Sequence, residues 1–85
     1  MDTDEHRLKR LKIRAWRRGM KEMDLILGTF VNEQAAGLSG AELDALEALM
    51  AENDADIYPW FTDQAPVPPE HAVILQKIKG DVKLY

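Results

Sequence analysis

The sequence predicts an all-α protein, a compact antiparallel bundle of five short helices. Apolar residues recur at helical spacing through most of the 85 residues, and no stretch longer than four residues alternates as a strand would. Glycines and prolines divide the chain into segments of helical length. One domain over residues 1–85 is expected, with a thin core, because chains of this size bury only about 60% of their unfolded surface.

The first two helices are predicted on either side of Gly19. The first begins near Asp4, a suitable N-cap residue, and ends or bends at Gly19. The second runs from about Met20 to Ala36 and stops at Gly37. Their apolar positions are Leu8, Leu11 and Ala15, a second strip of Ile13, Trp16 and Met20, and in the second helix Met23, Leu25, Ile26, Leu27, Phe30 and Val31.

A capping-box pattern predicts the start of the third helix, and a single capping residue predicts the start of the fourth. Ser39 and Glu42 have the spacing of a capping box, which starts a third helix that ends near Glu52. Asp56 is expected to cap a short fourth helix, which places Pro59 in the first turn, where its missing N–H does little harm. The inward residues are Leu43, Leu46, Leu49 and Met50, then Ile57, Trp60 and Phe61.

The fifth helix follows an extended, proline-rich connection over residues 64–69. Pro69 suits its first position and Gly80 is expected to end it. The tail Asp81–Tyr85 is expected to be loose, which leaves an ordered core of about residues 5–79. Its inward residues are Ile74, Leu75 and Ile78.

Charge is distributed unevenly along the chain. Residues 1–21 carry eight basic and three acidic side chains, a net of +5, whereas residues 22–85 carry three basic and twelve acidic ones, a net of −9. A basic head and an acidic body steer encounters with charged partners. The chain has no cysteine, no apolar run of about 20 residues that would span a membrane, and no secretory signal, so a cytoplasmic location is expected.

The residues favour neither an enzyme nor a nucleic-acid-binding protein. His6 and His71 are far apart and lack the spacing of a catalytic triad or metal site, so structural or solvent-exposed roles are expected and no metal is predicted. The strip of Arg7, Arg10, Arg14 and Arg17 is interpreted as a solvated face rather than a nucleic-acid contact, because the pI is near 5.0 and no helix-turn-helix or zinc pattern accompanies it.

Three residues at the junction of the first two helices predict a docking surface. Gly19 lets two backbones approach, Arg18 offers a planar fork of donors, and Glu22 offers an acceptor. An alternative is a surface ion pair between Arg18 and Glu22, which are four residues apart. If the surface serves docking, Gly19→Arg is expected to leave the helical fold largely intact and to abolish partner binding.

The string from Arg17 to Asp24 resembles the SdhE family of flavinylation factors, whose signature is R-G-x-x-E near this helix junction. The likeness extends over roughly residues 7–78, because family members are about this long, have five helices, and carry an acidic, aromatic segment like residues 56–61. Pro59 in that segment departs from the family pattern and puts the geometry of the fourth helix in doubt.

The resemblance implies an assembly factor that is not itself an enzyme. Such proteins bind the flavoprotein subunit of succinate dehydrogenase, and in some bacteria that of fumarate reductase, and promote covalent attachment of FAD to a histidine of that partner. FAD would therefore be carried by the partner and not bound stably here. The implied partner-binding residues are Arg18, Gly19 and Glu22, with Arg17 and Asp24 beside them.

The resemblance also bears on location and on rival functions. Mitochondrial relatives carry a transit peptide, and its absence here predicts a bacterial cytosolic form, expected to be a monomer. A CptB-like antitoxin, or another small protein-interaction module, remains the alternative function. The affinity, the client flavoprotein and any direct contact with flavin are left open.

Overall fold

Helices make up most of the protein in its computed structural model, which describes residues 4–16 and 19–81. Within those residues there are five α-helices and no strand, so the predicted all-α fold is confirmed. The helices are α1 (Asp4–Ala15), α2 (Lys21–Gln34), α3 (Gly40–Met50), α4 (Asp54–Phe61) and α5 (Pro69–Asp81), with a 3₁₀ turn (Ala35–Gly37) after α2. None of these helices is both long and apolar enough to cross a membrane.

The core is formed where α1 packs on α2, and where α5 packs on both α3 and α2. Phe30 and Phe61 are its largest fully buried side chains. Burial of such side chains from water is the main stabilising contribution, at roughly 1.5–3 kcal/mol for each large one. The predicted inward positions that are buried are Leu11, Ala15, Met23, Ile26, Leu27, Phe30, Val31, Leu43, Leu46, Leu49, Met50, Ile57, Trp60, Phe61, Ile74, Leu75 and Ile78.

The predicted capping box at the start of α3 is present. The Ser39 hydroxyl oxygen accepts a hydrogen bond from the Glu42 backbone N–H at 3.1 Å, and Glu42 Oε1 accepts one from the Ser39 N–H at 2.9 Å. The hydrogen bond from the Ser39 backbone holds the pKa of Glu42 below its ordinary value. The carboxylate therefore satisfies a helix-end donor in its charged form.

The fourth helix begins earlier than predicted. Asn53 is its N-cap residue, and the Asn53 carbonyl accepts hydrogen bonds from the N–H groups of Asp56 and Ile57 at 2.9 and 3.0 Å. The predicted cap at Asp56 is therefore wrong, and Pro59 lies inside the helix rather than in its first turn. Since Pro59 has no N–H, it cannot donate the hydrogen bond that the Ala55 carbonyl would otherwise accept.

Two other helix ends differ from prediction. α1 ends at Ala15 and does not reach Gly19, and α5 continues through Gly80 to Asp81. Asp81 therefore belongs to a helix, and the rest of the predicted loose tail, residues 82–85, lies outside the described residues.

An arginine of the predicted solvated strip instead joins α1 to α3. The Arg7 guanidinium lies 2.5 Å from Asp44 Oδ1 and 2.8 Å from Glu47 Oε1, and its side chain is only 20% exposed. These acceptors raise the pKa of Arg7. The interpretation of Arg7 as a solvated charge is wrong, because its apolar stem packs at the helix interface while its head pairs with both carboxylates.

His71 is a structural residue of the core, in line with one of the two roles expected for it. It is 4% exposed, its Nε2 lies 3.0 Å from Glu52 Oε2, and its ring faces that of Trp60 with 5.6 Å between centroids. His71 thus connects α5 to the end of α3 and to α4.

Candidate partner-binding surface

Gly19 lies in the connection between α1 and α2 and has a backbone conformation that favours glycine. Its φ is +100°, and an ideal Cβ placed on it would meet no atom within 4 Å. The chain therefore needs glycine here for backbone geometry, not for lack of space. The expectation that Gly19→Arg leaves the fold largely intact must include this local strain, which any L side chain would introduce.

Glu22 occupies the first turn of α2, where a carboxylate is favoured by the helix dipole. It is exposed and makes no hydrogen bond or ion pair with any other residue that the structure describes. The N-cap residue, Met20, has an apolar side chain and makes no capping hydrogen bond. Glu22 is therefore available to accept hydrogen bonds from another molecule.

The remaining predicted site residues are placed differently. Asp24 is half-buried, its N–H donates to the Met20 carbonyl at 2.9 Å, and the residue already has an interaction partner. Arg17 and Arg18 lie outside the described residues, as does the alternative ion pair between Arg18 and Glu22. The structure thus places Gly19 and Glu22 together on an exposed bend, and the roles given to all five residues stay predictions.

Trp16, a member of the second apolar strip predicted from the sequence, is substantially open to solvent. It is 40% exposed, and its indole ring lies directly against Gly28 in the middle of α2. An ideal Cβ on Gly28 would lie 2.4 Å from Trp16 Cε2. Gly28 therefore provides the flat surface on which the indole of Trp16 packs, and Trp16 itself lies three residues before Gly19 in the sequence.

Gly28 was missed as a structural determinant of this surface. The available signal was a glycine in the middle of an amphipathic helix, where it costs roughly 1 kcal/mol relative to alanine and so suggests a packing reason. Two residues that the sequence analysis counts among the apolar positions of the first two helices, Ile13 and Leu25, are also exposed. Periodicity alone did not separate them from the buried residues of the same helices.

The described residues hold no group of three or more His, Cys, Asp or Glu side chains that could bind a metal ion. The chemistry available at the bend is that of recognition: an exposed carboxylate with no partner among the described residues, open backbone and exposed apolar side chains. Arg18 and Arg17 adjoin it in the sequence and add positive charge.

The family model and the similar proteins that match this chain all bear names that refer to succinate dehydrogenase. The sequence model of a family described as "Flavinator of succinate dehydrogenase" matches residues 9–82. The chain is 38% identical over 71 residues to succinate dehydrogenase assembly factor 2, mitochondrial, of Mycosarcoma maydis, covering 84% of this chain and 30% of that protein. No solved structure gives a significant match.

Two further relatives carry similar names. Succinate dehydrogenase assembly factor 2-B, mitochondrial, of Drosophila persimilis is 37% identical over 82 residues, which cover 93% of this chain and 52% of that protein. Succinate dehydrogenase assembly factor 2, mitochondrial, of Meyerozyma guilliermondii is 37% identical over 87 residues, which cover 96% and 64%. The chain thus spans from about a third to just under two thirds of the length of these relatives.

The names of these relatives contradict the cytoplasmic location expected from the sequence, because each is named a mitochondrial protein. That expectation rested on the lack of cysteine, of a membrane-spanning apolar run and of a recognisable targeting signal, and the names of the relatives overturn it. The family model covers most of the chain and includes the R-G-x-x-E bend. The chain belongs to the family of flavinators of succinate dehydrogenase, the SdhE family.

Proposed function

We propose that this chain is an assembly factor that binds the flavoprotein subunit of succinate dehydrogenase and promotes covalent attachment of FAD to it. The observation that carries the proposal is the exposure of Gly19 and Glu22 of the R-G-x-x-E motif, in a chain that belongs to the flavinator family. The names of the relatives, which are succinate dehydrogenase assembly factors, support the same client. The flavoprotein of fumarate reductase is a second client of the same chemistry.

The proposed mechanism places the reacting groups on the client. FAD and the histidine that it modifies belong to the flavoprotein, and this chain stabilises a conformer in which the two are held close. Only preferential binding of that conformer can raise its population. Holding reacting groups in a productive geometry can lower a barrier by several kcal/mol. In this scheme the chain is not itself an enzyme, binds no FAD stably, and acts as a monomer.

Each motif residue has a specific role in the proposed contact. Gly19 presents open backbone, so the client can approach closely. The exposed Glu22 carboxylate accepts hydrogen bonds from the client, and Arg18 donates to acceptors on it. Arg17 and Asp24 lie beside these groups in the sequence and contribute less directly.

The role of Glu22 is tested by substituting it in a flavin-attachment assay. Glu22→Gln keeps the shape of the side chain and removes its charge. We expect roughly 10-fold less covalent flavin on purified succinate dehydrogenase flavoprotein supplied with FAD, because a neutral hydrogen bond is about 1–1.5 kcal/mol weaker than a charge-assisted one. In-gel flavin fluorescence after denaturation measures it. Circular dichroism should show an unchanged fold.

Glu33→Gln is the matched control, because Glu33 is also an exposed glutamate of α2 and lies about 16 Å further along the helix. We expect it to leave flavin attachment unchanged. Equal activity of the Glu22 and Glu33 variants would contradict the role of Glu22. Capture of a different protein, with flavin attachment unaffected by this chain, would favour the antitoxin or general interaction module instead.

A further inference from the structure

We infer that the client flavoprotein also covers an outer apolar patch, defined here as Ile13, Trp16 and Leu25, beside the R-G-x-x-E bend. The inference rests on the proposed function and deepens it, because it names a second part of the contact surface and the chemistry of what covers it. The occupant is a surface of the flavoprotein that presents apolar side chains bordered by carboxylates.

The three residues of the outer apolar patch are unusually exposed for their size. Ile13 is 57% exposed and Leu25 is 51% exposed, and Trp16 keeps 40% of its surface open although its ring packs on Gly28. Single exposed apolar residues are common, whereas contiguous ones mark interaction sites. The outer apolar patch therefore marks an interaction site if its three side chains lie next to one another.

Helix geometry places the three side chains side by side. The Trp16 N–H donates to the Lys12 carbonyl at 3.3 Å, so position 16 continues the spiral of α1 and lies one turn beyond Ile13 on the same side. The Trp16 ring crosses to α2 and lies on Gly28. Leu25 is one turn before Gly28 on α2. The outer apolar patch thus spans the seam between the two helices.

The outer apolar patch is continuous with the motif. Leu25 follows Glu22 by one turn of α2, and Trp16 precedes Gly19 by three residues. A client that contacts the bend therefore reaches the patch without a second binding event. The indole N–H of Trp16 has no acceptor among the described residues, and tryptophan with a polar tip is a frequent anchor of protein interfaces.

The charges around the outer apolar patch identify the chemistry of its occupant. Lys9 and Lys12 are exposed on the side of α1 that carries Ile13, and Lys21 is exposed at the start of α2. The Nζ atom of Lys9 lies 3.9 Å from Glu5 Oε1. These ammonium groups beside exposed apolar side chains complement a surface that has apolar residues at its centre and Asp or Glu at the matching part of its rim. The client surface is therefore acidic at its edge.

The test uses Leu25→Ser and Ile13→Ser, because both residues are more than half exposed and their replacement should not disturb the core. Val73→Ser on α5 is the matched control, since Val73 is 83% exposed and outside the patch. Isothermal titration calorimetry with purified succinate dehydrogenase flavoprotein measures the Kd. We expect each patch variant to raise the Kd about 5–10-fold and Val73→Ser to leave it within about 2-fold.

A charge-reversal variant tests the rim. Lys12→Glu should raise the Kd at low ionic strength and make it less sensitive to added salt than the wild-type Kd. A Kd for both patch variants equal to that of the Val73 control, with wild-type protein binding, would overturn this inference and leave the proposed function standing. Failure of the wild-type protein to bind the flavoprotein would overturn both.

A second copy of this chain is the competing occupant, and sedimentation equilibrium distinguishes it. The inference expects wild-type protein to sediment as a monomer at the concentrations used for titration. A wild-type dimer that Leu25→Ser converts to monomer, without a change in flavoprotein affinity, would assign the outer apolar patch to self-association and overturn the inference.

Discussion

Gly19 and Gly28 shape the candidate site for different physical reasons. Gly19 has φ +100°, which an L side chain adopts only with strain, although there is open space around it. Gly28 is helical and buried, and it is needed because the Trp16 ring occupies the position of a Cβ. The first glycine turns the chain and the second fixes the aromatic residue that adjoins the turn.

The packing of Trp16 on Gly28 predicts that Gly28→Ala lowers stability, whereas Gly80→Ala raises it. Gly28→Ala should lower the free energy of unfolding by about 1–3 kcal/mol, because the added methyl group displaces the indole. It should also shift Trp16 fluorescence to longer wavelength as the ring becomes more exposed. Thermal unfolding and emission spectra measure both effects.

Gly80→Ala serves as the control, because Gly80 is in α5 and a Cβ there meets no atom within 4 Å. It should raise stability by about 0.5–1 kcal/mol through helix propensity. Equal stability of the Gly28 and Gly80 variants, with an unchanged emission spectrum, would mean that the indole does not need the glycine surface.

At the scale of helices, the capping box of α3 makes stability depend on acid. The pKa of Glu42 is lowered in the folded protein from its ordinary value of 4.5, chiefly by the hydrogen bond from the Ser39 backbone. A lowered folded pKa contributes stability that is present above the unfolded pKa and is lost as the pH falls through the folded one. Ser39→Ala should cost about 1 kcal/mol of stability near neutral pH.

Glu42→Gln isolates the acid dependence. We expect the stability difference between wild-type protein and this variant to be largest at about pH 6–7. It should shrink as the pH falls below about 4.5, the ordinary pKa of Glu42, and through the lower pKa of the folded protein. Urea unfolding at several pH values measures the difference. A difference that stays constant down to about pH 3 would contradict the assigned hydrogen bond.

Helix boundaries show what the sequence could and could not predict. The α3 boundary was predictable because Ser39 and Glu42 form a specific reciprocal pattern. The α4 boundary was not, since Asn53, Asp54 and Asp56 are all good capping residues and nothing local selects among them. After α4 ends, Asp63 adopts a left-handed backbone with φ 60°, and the Gln64 N–H donates to the Pro59 carbonyl at 2.8 Å. Glycine usually occupies such a position, and its absence from the sequence here left this helix end unpredicted.

The features of the candidate site that depend on local sequence could be predicted, and those that depend on helix packing could not. The bend and the exposure of Glu22 follow from the glycine and the helix phase, both of which are local. The exposure of Ile13 and Leu25 is set by how α1 packs on α2, and the sequence does not specify that packing. The contact of Trp16 with Gly28 also depends on how the two helices pack, and the glycine in the middle of α2 was the sequence feature that could have indicated it.

At the scale of the whole molecule, charge and shape favour an oriented encounter with a client. The described fold has a radius of gyration of 12.0 Å and extents of 38 × 25 × 21 Å, close to the roughly 12 Å expected for a compact chain of this length. Eight of the chain's eleven basic residues fall in the first 21 positions of the sequence, which include α1 and Gly19 of the bend. Arg7 joins this basic helix to the acidic α3 through its ion pairs with Asp44 and Glu47.

The central claim is that the bend between α1 and α2 contacts a flavoprotein that carries the reacting groups. The direct measurement is the fraction of succinate dehydrogenase flavoprotein that carries covalent FAD after incubation with wild-type protein, Gly19→Ala or Gly19→Arg. Both variants carry the same backbone strain of roughly 1–3 kcal/mol, and only the arginine adds bulk to the open surface.

We predict that wild-type protein raises the covalent fraction, that Gly19→Ala retains much of this effect, and that Gly19→Arg abolishes it while circular dichroism shows both variants equally folded. Flavin attachment that is the same with wild-type protein, with Gly19→Arg and with no added protein would contradict the account.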